Sequence, residues 1–539
     1  MKQTIITILL AVVAMTGQAQ VKSGLDLCLR DEATGEWLIG LFDEYAIYDC
    51  EYWNYAEVGK DHVVLTKDGQ RMEVRLRKNA TIIDGEKHKT SVLTTKCLPD
   101  YPAKDETAWP SGIQAEEGNF TLRVCVRTTK KEAEFNIWIR RMVDGKQIEE
   151  YAKIDEQGRF EVKMPVNGTS ILGIRNEFEH LLEHSFWGRL AVDDGDMLLL
   201  YIDDMNDRAY VMGGKYARFN NELLDGDFHP DFTTPESLPF DSIITQQCRS
   251  MAICQTRIDS LNAARPNLSR RFRAYYLDDI QNLFANPMLR NCWLTYNKEE
   301  QQAMLNKTET KLNPLQWMRS EVPLMCRDGF KINILYYIFA LADLRSTRLT
   351  DPDVFLLRIY QEGKVQLTDE ELQTIKDFHE LRTNKNRDVS LNEAFQTKII
   401  PILSKPLIAQ YWDWELSEQN VAMQVNVLNS LDIDDDTREI LKTQTFVNNI
   451  DGKSNVASPR ILRLAHQEVH HPRLILAIDN ANQRIIDFLA ENERQEVVTP
   501  KAGSPASMRV PEEELKDITD GKALFEFITA PFRGYVIYV

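Results

Sequence analysis

The chain has 539 residues, is 43% hydrophobic and 27% charged, and carries a formal net charge of −18. Phosphate binding needs clustered Lys and Arg, so this acidic balance argues against a nucleic-acid partner. A chain of this length holds more than one hydrophobic core, since single domains usually run to about 100–200 residues.

Residues 1–20 carry Lys2, an apolar run from Ile5 to Met15 and a small-residue exit at Gly17, Gln18 and Ala19, the pattern of a secretory signal peptide. The first cysteine is Cys28, out of reach of that exit, so a soluble periplasmic protein is expected rather than a lipoprotein. A membrane helix needs about 18 or more consecutive apolar residues, and no later segment supplies them. No membrane insertion is expected after signal removal.

Eight cysteines stand at 28, 50, 97, 125, 248, 254, 292 and 326, and no two are spaced Cys-x-x-Cys. An oxidising compartment permits disulfides. Cys248 and Cys254 fall in an expected helix, where six residues rise about 9 Å and exceed disulfide reach. Buried free thiols and long-range bridges both remain open.

Residues 21–110 read as a β-rich region. Trp37, Leu38, Ile39, Gly40 and Phe42, then Ala46, Ile47, Tyr48, Asp49 and Cys50, with Trp53, form an aromatic block that reads as core, with a partner surface as the alternative. Val63, Val64 and Leu65, then Asp68-Gly69, then Met72, Val74 and Leu76 predict a hairpin, because Asp-Gly accepts the positive φ angles of a type I′ turn.

Residues 111–215 predict a β-sandwich. Phe120, Leu122, Val124 and Val126 alternate, as do Phe135, Ile137 and Ile139, and Asp144-Gly145 follows. Gln157-Gly158 precedes Phe160, Val162 and Met164, while Asp194-Gly195-Asp196 precedes the run Met197 to Ile202.

From residue 216 the period becomes helical, and an all-helical region is expected over 216–495. Phe240, Ile244, Cys248, Met251, Ile258 and Leu261 share one helical face behind Asp241 as N-cap, and Arg271 to Phe284 continues the pattern. Ile332 to Leu344 is apolar nearly all round and reads as a buried helix. Thr368-Asp369-Glu370-Glu371 is a capping box. Further helices are expected after Ser390, Asp434 and Ser458, the last ending near Asn492. Residues 496–511, with Pro500, Gly503, Ser504, Pro505, Ser507 and Pro511, read as a linker. A further module begins over 512–539: Asp520 can cap a short helix through Leu524, Phe525, Phe527 and Ile528, Pro531 and Gly534 end it, and Tyr535 to Val539 is an apolar strand.

Three clusters could carry metal chemistry. His180-Leu181-Leu182-Glu183-His184 matches the inverted zinc-protease pattern His-x-x-Glu-His and would make the chain a zinc hydrolase. Leu172 and Ile174 before it and Leu190 and Val192 after it predict strands, and Trp187-Gly188 breaks a helix, so a polar excursion between strands fits better. His466 and His470, four apart with Glu468 between them, could hold a metal on one helical face, although histidines in a last helical turn also suit the helix dipole. Asp432, Asp434, Asp435 and Asp436 lack the glycine and spaced glutamate of an EF-hand and read as an acidic helix start. No Gly-x-Ser-x-Gly, phosphate-binding or dinucleotide loop is present.

The stretch Asp520 to Val539 resembles the opening of the thioredoxin module in periplasmic TlpA-type thiol-disulfide oxidoreductases. The aromatic block at 37–53 and the order Gly158-Arg159-Phe160, Asp194-Gly195-Asp196 and Met212-Gly213-Gly214 are similar to the segments that precede that module in long members of the family. The resemblance implies a multidomain α+β chain: a β-rich N-terminal region and a β-sandwich, an all-helical region, then the truncated start of a thioredoxin-like α/β module. It implies the N-terminal part of an oxidoreductase, redox-inactive without the family's Cys-x-x-Cys and cis-proline. No residue here inherits a catalytic, cofactor-binding or metal-binding role, no cofactor is expected, and the partner is an unnamed periplasmic protein. The alternative is a non-catalytic periplasmic binding module.

Overall fold

The computed structural model describes residues 25–95, 100–141, 143, 145–176, 189–224, 238–295, 297–313, 317–345, 351–383, 391–451 and 456–498. The segment expected to be a signal peptide, Cys97, the His180–His184 motif and everything beyond Val498, including the rest of the expected linker and the expected thioredoxin-like start, lie outside them. The chain divides into two compact units, Met1–Gln483 and Arg484–Val539. Of the second, the described residues 484–498 are helical.

The β-rich region is a closed barrel. Strands β1 (Asp26–Asp31), β2 (Trp37–Phe42), β3 (Ala46–Tyr48), β4 (Glu51–Val58), β5 (His62–Lys67), β6 (Gln70–Arg77), β7 (Ala80–Ile83) and β8 (Glu86–Val92) pair in sequence order. Antiparallel pairing of Leu29 with Val92 closes the ring and removes both sheet edges. Alternate residues point inward, so Ile39, Leu41, Val63, Leu65, Met72 and Val74 fill the interior. The expected hairpin is present, with φ of 48° at Asp68 and 79° at Gly69, and Asp84-Gly85 repeats the device between β7 and β8.

The sandwich has two four-stranded sheets. One runs β11 (Gln147–Lys153), β10 (Glu134–Arg140), β13 (Ser170–Asn176), β14 (Arg189–Val192); the other runs β12 (Arg159–Val166), β9 (Gly118–Arg127), β15 (Met197–Asp203), β16 (Arg208–Gly213). Phe120, Leu122 and Val124 of one sheet share a core with Phe135, Ile137, Leu172 and Ile174 of the other. The run Met197 to Ile202 lacks polar alternation because β15 is covered on both faces. Leu198, Leu200 and Ile202 enter the sandwich core, whereas Leu199 and Tyr201 pack toward the barrel.

Helix α1 (Ala217–Leu224) closes one side of the sandwich through two adjacent asparagines. The Asn220 amide accepts from Ala191 N at 2.7 Å and donates to Ala191 O at 2.9 Å; Asn221 does the same with Val211, both at 2.8 Å. Each amide imitates a strand residue and satisfies backbone groups at the edge strands β14 and β16.

The helical region follows, with α2 (Phe240–Ala264), α3 (Arg270–Leu294), α4 (Lys298–Leu312), α5 (Asp328–Arg345), α6 (Pro352–Gln361), α7 (Asp369–Thr383), a helical run over Leu391–Leu403, α8 (Pro406–Ser430), α9 (Asp435–Asp451), α10 (Pro459–Glu468) and α11 (Pro472–Val498). The capping box forms as expected: Glu371 N donates to Thr368 Oγ1 at 3.2 Å and Thr368 N to Glu371 Oε2 at 3.0 Å. Asp434 and Ser458 cap α9 and α10 by accepting from Thr437 N and Ile461 N. Three expectations need correction. Pro239 is the N-cap of α2, and Asp241 instead lies in its first turn and pairs with Lys307. Helix α5 is not buried all round, because Ile332 is 38% exposed. Helix α11 runs past Asn492 to Val498, across the first residues assigned to the linker; Glu493 to Glu496 are good helix formers, and Pro500 is the first breaker.

Candidate functional site

Buried aromatic and thiol side chains gather where the barrel and the sandwich meet. Trp37 lies 5.6 Å from Tyr201 and 5.9 Å from Tyr210, and Phe42 stacks on Tyr201 at 4.9 Å. The aromatic block is therefore core, shared between the barrel-to-sandwich seam and, through Trp53, the barrel interior.

Cys28, Cys50 and Cys125 line this seam. Cys50 donates to Met212 O at 3.0 Å, and Cys125 sits 3.0 Å from the Tyr45 hydroxyl. Burial pushes the thiols of Cys28 and Cys50 up to about 12 and those of Cys125 and Cys292 up to about 11, and it raises Cys254 and Cys326 as well. The seven described cysteines are all free thiols. The thiolate is the nucleophile, so such thiols are chemically quiet near neutral pH.

Charged groups key the seam at both ends. Asp203 is fully buried and accepts from Arg208 Nη2 at 2.5 Å, while Asp26 receives Arg208 and Arg127, each at 2.7 Å. Burial pushes Asp26 upward, but these bonds outweigh it and hold the carboxyl below its usual range. Elsewhere on the seam, the Arg159 guanidinium lies 4.0 Å from the Tyr45 ring and 4.2 Å from the Tyr52 ring, and Arg123 pairs with Glu51 and Glu161. Sequence reading missed all of these, because no short spacing links Asp26 to Arg127 or Tyr45 to Arg159.

The segment 100–109 stitches onto the helices. Trp109 donates to Arg271 O at 3.1 Å and stacks on Tyr216, Arg271 Nε donates to Ala108 O, and Asn267 Nδ2 donates to Tyr101 O.

Among the described residues, those singled out by the sequence do not assemble a metal site. His180, Glu183 and His184 lie outside the described residues, between β13 and β14, the strands expected to flank them. Helix α10 ends at Glu468 with Val469 extended, so His466 and His470 do not share a helical face. His466 meets Asp479 at 2.8 Å, His470 meets Glu439 at 2.9 Å, and Glu468 meets Lys442 at 2.8 Å. Asp432 pairs with Arg319 at 2.6 Å, and Asp434, Asp435 and Asp436 form the acidic start of α9, as expected. Among the described residues no group of three or more His, Cys, Asp or Glu is placed to hold a metal. A buried acid does orient one imidazole: Asp353 Oδ2 lies 2.5 Å from His379 Nδ1, and Asp353 also takes Arg382, cross-linking α6 and α7. Among the described residues no helix is long and apolar enough to cross a membrane.

No protein-family model matches this sequence, and no curated protein matches it.

Proposed function

We propose that this chain is the non-catalytic N-terminal portion of a periplasmic TlpA-type thiol-disulfide oxidoreductase, in which barrel, sandwich and helices recognise a periplasmic protein partner. The family part of this reading rests on the residues of 520–539, 37–53, 158–160, 194–196 and 212–214. The observation that carries the non-catalytic part is the set of thiols: the sequence has no Cys-x-x-Cys, and six of the described cysteines are held protonated by burial. Exchange chemistry needs an accessible thiolate with a resolving partner.

An insulin-reduction assay with dithiothreitol tests the chemistry. The 539-residue protein should match the protein-free blank, and catalysed turnover would overturn the reading. Sequencing the locus past the codon for Val539 tests the family. Codons for Trp-x-x-Cys-x-x-Cys in any frame would support an oxidoreductase. Unrelated sequence would leave a free-standing binding module as the reading.

A further inference from the structure

The two sheets of the sandwich end in β11 and β14 and in β12 and β16, and three of these edges are blunted. The amides of Asn220 and Asn221 pair with β14 and β16. On β12, Arg159 N donates to Asp155 Oδ1 at 2.9 Å, and Pro165 has no N–H to offer. Among the described residues β11 carries no such device. Arg141 N donates to Lys146 O at 2.8 Å and Ile154 N to Ala133 O at 3.2 Å, one at each end of the β10–β11 ladder. Hydrogen-bonded pairs alternate along antiparallel strands, so Ile148, Glu150 and Ala152 turn their backbone groups toward β10, while Gln147, Glu149, Tyr151 and Lys153 turn theirs outward. No backbone group among the described residues meets those four. The edge is held in place by Lys146, whose Nζ lies 3.0 Å from Asp451 Oδ2 on α9. Tyr151 is 64% exposed at its centre, and its hydroxyl donates to Glu149 Oε2 at 3.1 Å.

We propose that β11 pairs with β11 of a second copy of this chain, antiparallel, with the two-fold axis at Tyr151. A two-fold axis makes the strand its own partner, so the residue on the axis fixes every other pair. With Tyr151 opposite its copy, Glu149 faces Lys153 and Lys153 faces Glu149, so two oppositely charged pairs flank the aromatic pair. Ile148 then faces Ile154, and Glu150 faces Ala152. Glu149, Tyr151 and Lys153 exchange their outward N–H and C=O groups with the same three residues of the copy, and the sheet continues across the axis. Neighbouring registers are worse. An axis at Glu149 or at Glu150 sets that carboxylate directly opposite itself, and an axis at Ala152 sets Glu149 opposite Asp155; like charges opposite one another are destabilising. The net charge of −18 opposes the meeting of two copies, but at about 0.15 M salt charges more than about 8 Å apart are largely screened. A single strand pair is smaller than a standard interface, so the dimer is weak.

Sedimentation velocity of the whole protein at about 0.15 M salt should show monomer near 1 µM and a growing dimer toward about 200 µM. Glu149→Lys and Lys153→Glu each set like charges opposite at both pairs, and each should raise the dissociation constant roughly tenfold or more. Both positions are exposed, so the melting temperatures should match that of the parent. An equimolar mixture of the two variants should recover the association of the parent, because opposite charges meet again at both pairs. A parent that stays monomeric over this range, single variants that dimerise as the parent does, or a mixture that fails to recover association would overturn the pairing.

Discussion

Replacing Arg327 with methionine tests how the buried charges of the helical region are held. Arg327 is 3% exposed; its Nε lies 2.8 Å from Asp278 Oδ1, and its other nitrogens donate to Trp317 O at 3.1 Å and Met318 O at 3.3 Å. The guanidinium also lies 3.7 Å from the Phe330 ring centre. Burial pushes Asp278 up and Arg327 down, and their mutual attraction offsets this. Arg327→Met keeps most of the side-chain volume but leaves the Asp278 carboxylate without its cation, with Asn282 Nδ2 still donating at 3.0 Å, and takes a donor from the Trp317 and Met318 carbonyls. Breaking one side of a buried pair typically costs about 3–5 kcal/mol. For the compact unit Met1–Gln483 that corresponds to a fall in Tm of roughly 3–5 °C. The loss should be largest above neutral pH and shrink as pH falls toward the ordinary carboxylate range, because a neutral Asp278 tolerates burial. Calorimetry and urea unfolding at pH 5 and pH 8 measure both features. Adding Asp278→Asn to Arg327→Met should recover half or more of the loss. An Arg327→Met protein within about 1 kcal/mol of the parent at pH 8, or no recovery in the double variant, would refute the reasoning.

Three further outcomes are expected. Gly213→Ala should destabilise the barrel-to-sandwich seam by about 2–4 kcal/mol in urea unfolding, because φ is +75° there and a Cβ would meet Cys50 Sγ and, at 2.8 Å, Met197 O. In a thiol-labelling time course at pH 8, Cys28, Cys50, Cys125 and Cys292 should react only after denaturant is added, since their thiolate fraction is roughly a hundredfold or more below that of a free cysteine. Ser458→Ala should lower stability by about 1 kcal/mol through loss of the cap on α10, read as a shift of the unfolding midpoint at unchanged m-value.

The local structure legible in the sequence rests on partners a few residues apart. Asp68-Gly69 makes its turn from its own two φ angles, and Thr368 and Glu371 cap one helix reciprocally across three residues. The same holds for Asp434 and Ser458, and for the alternating strands around Phe120 and Phe135. Where a spacing rule misled, a neighbouring residue was stronger: His466 and His470 have helical spacing, but Pro472 requires an extended residue ahead of it and the helix stops at Glu468. Tertiary structure alone decided the closure of Leu29 on Val92, the parallel pairing of β9 with β15, and the double burial of β15. It also decided which charges meet, as Asp26 with Arg127 and Arg208, and Asp278 with Arg327, do. Those partners lie tens to hundreds of residues apart, so their encounter depends on how whole sheets and helices pack to bury apolar surface, and no local pattern encodes it.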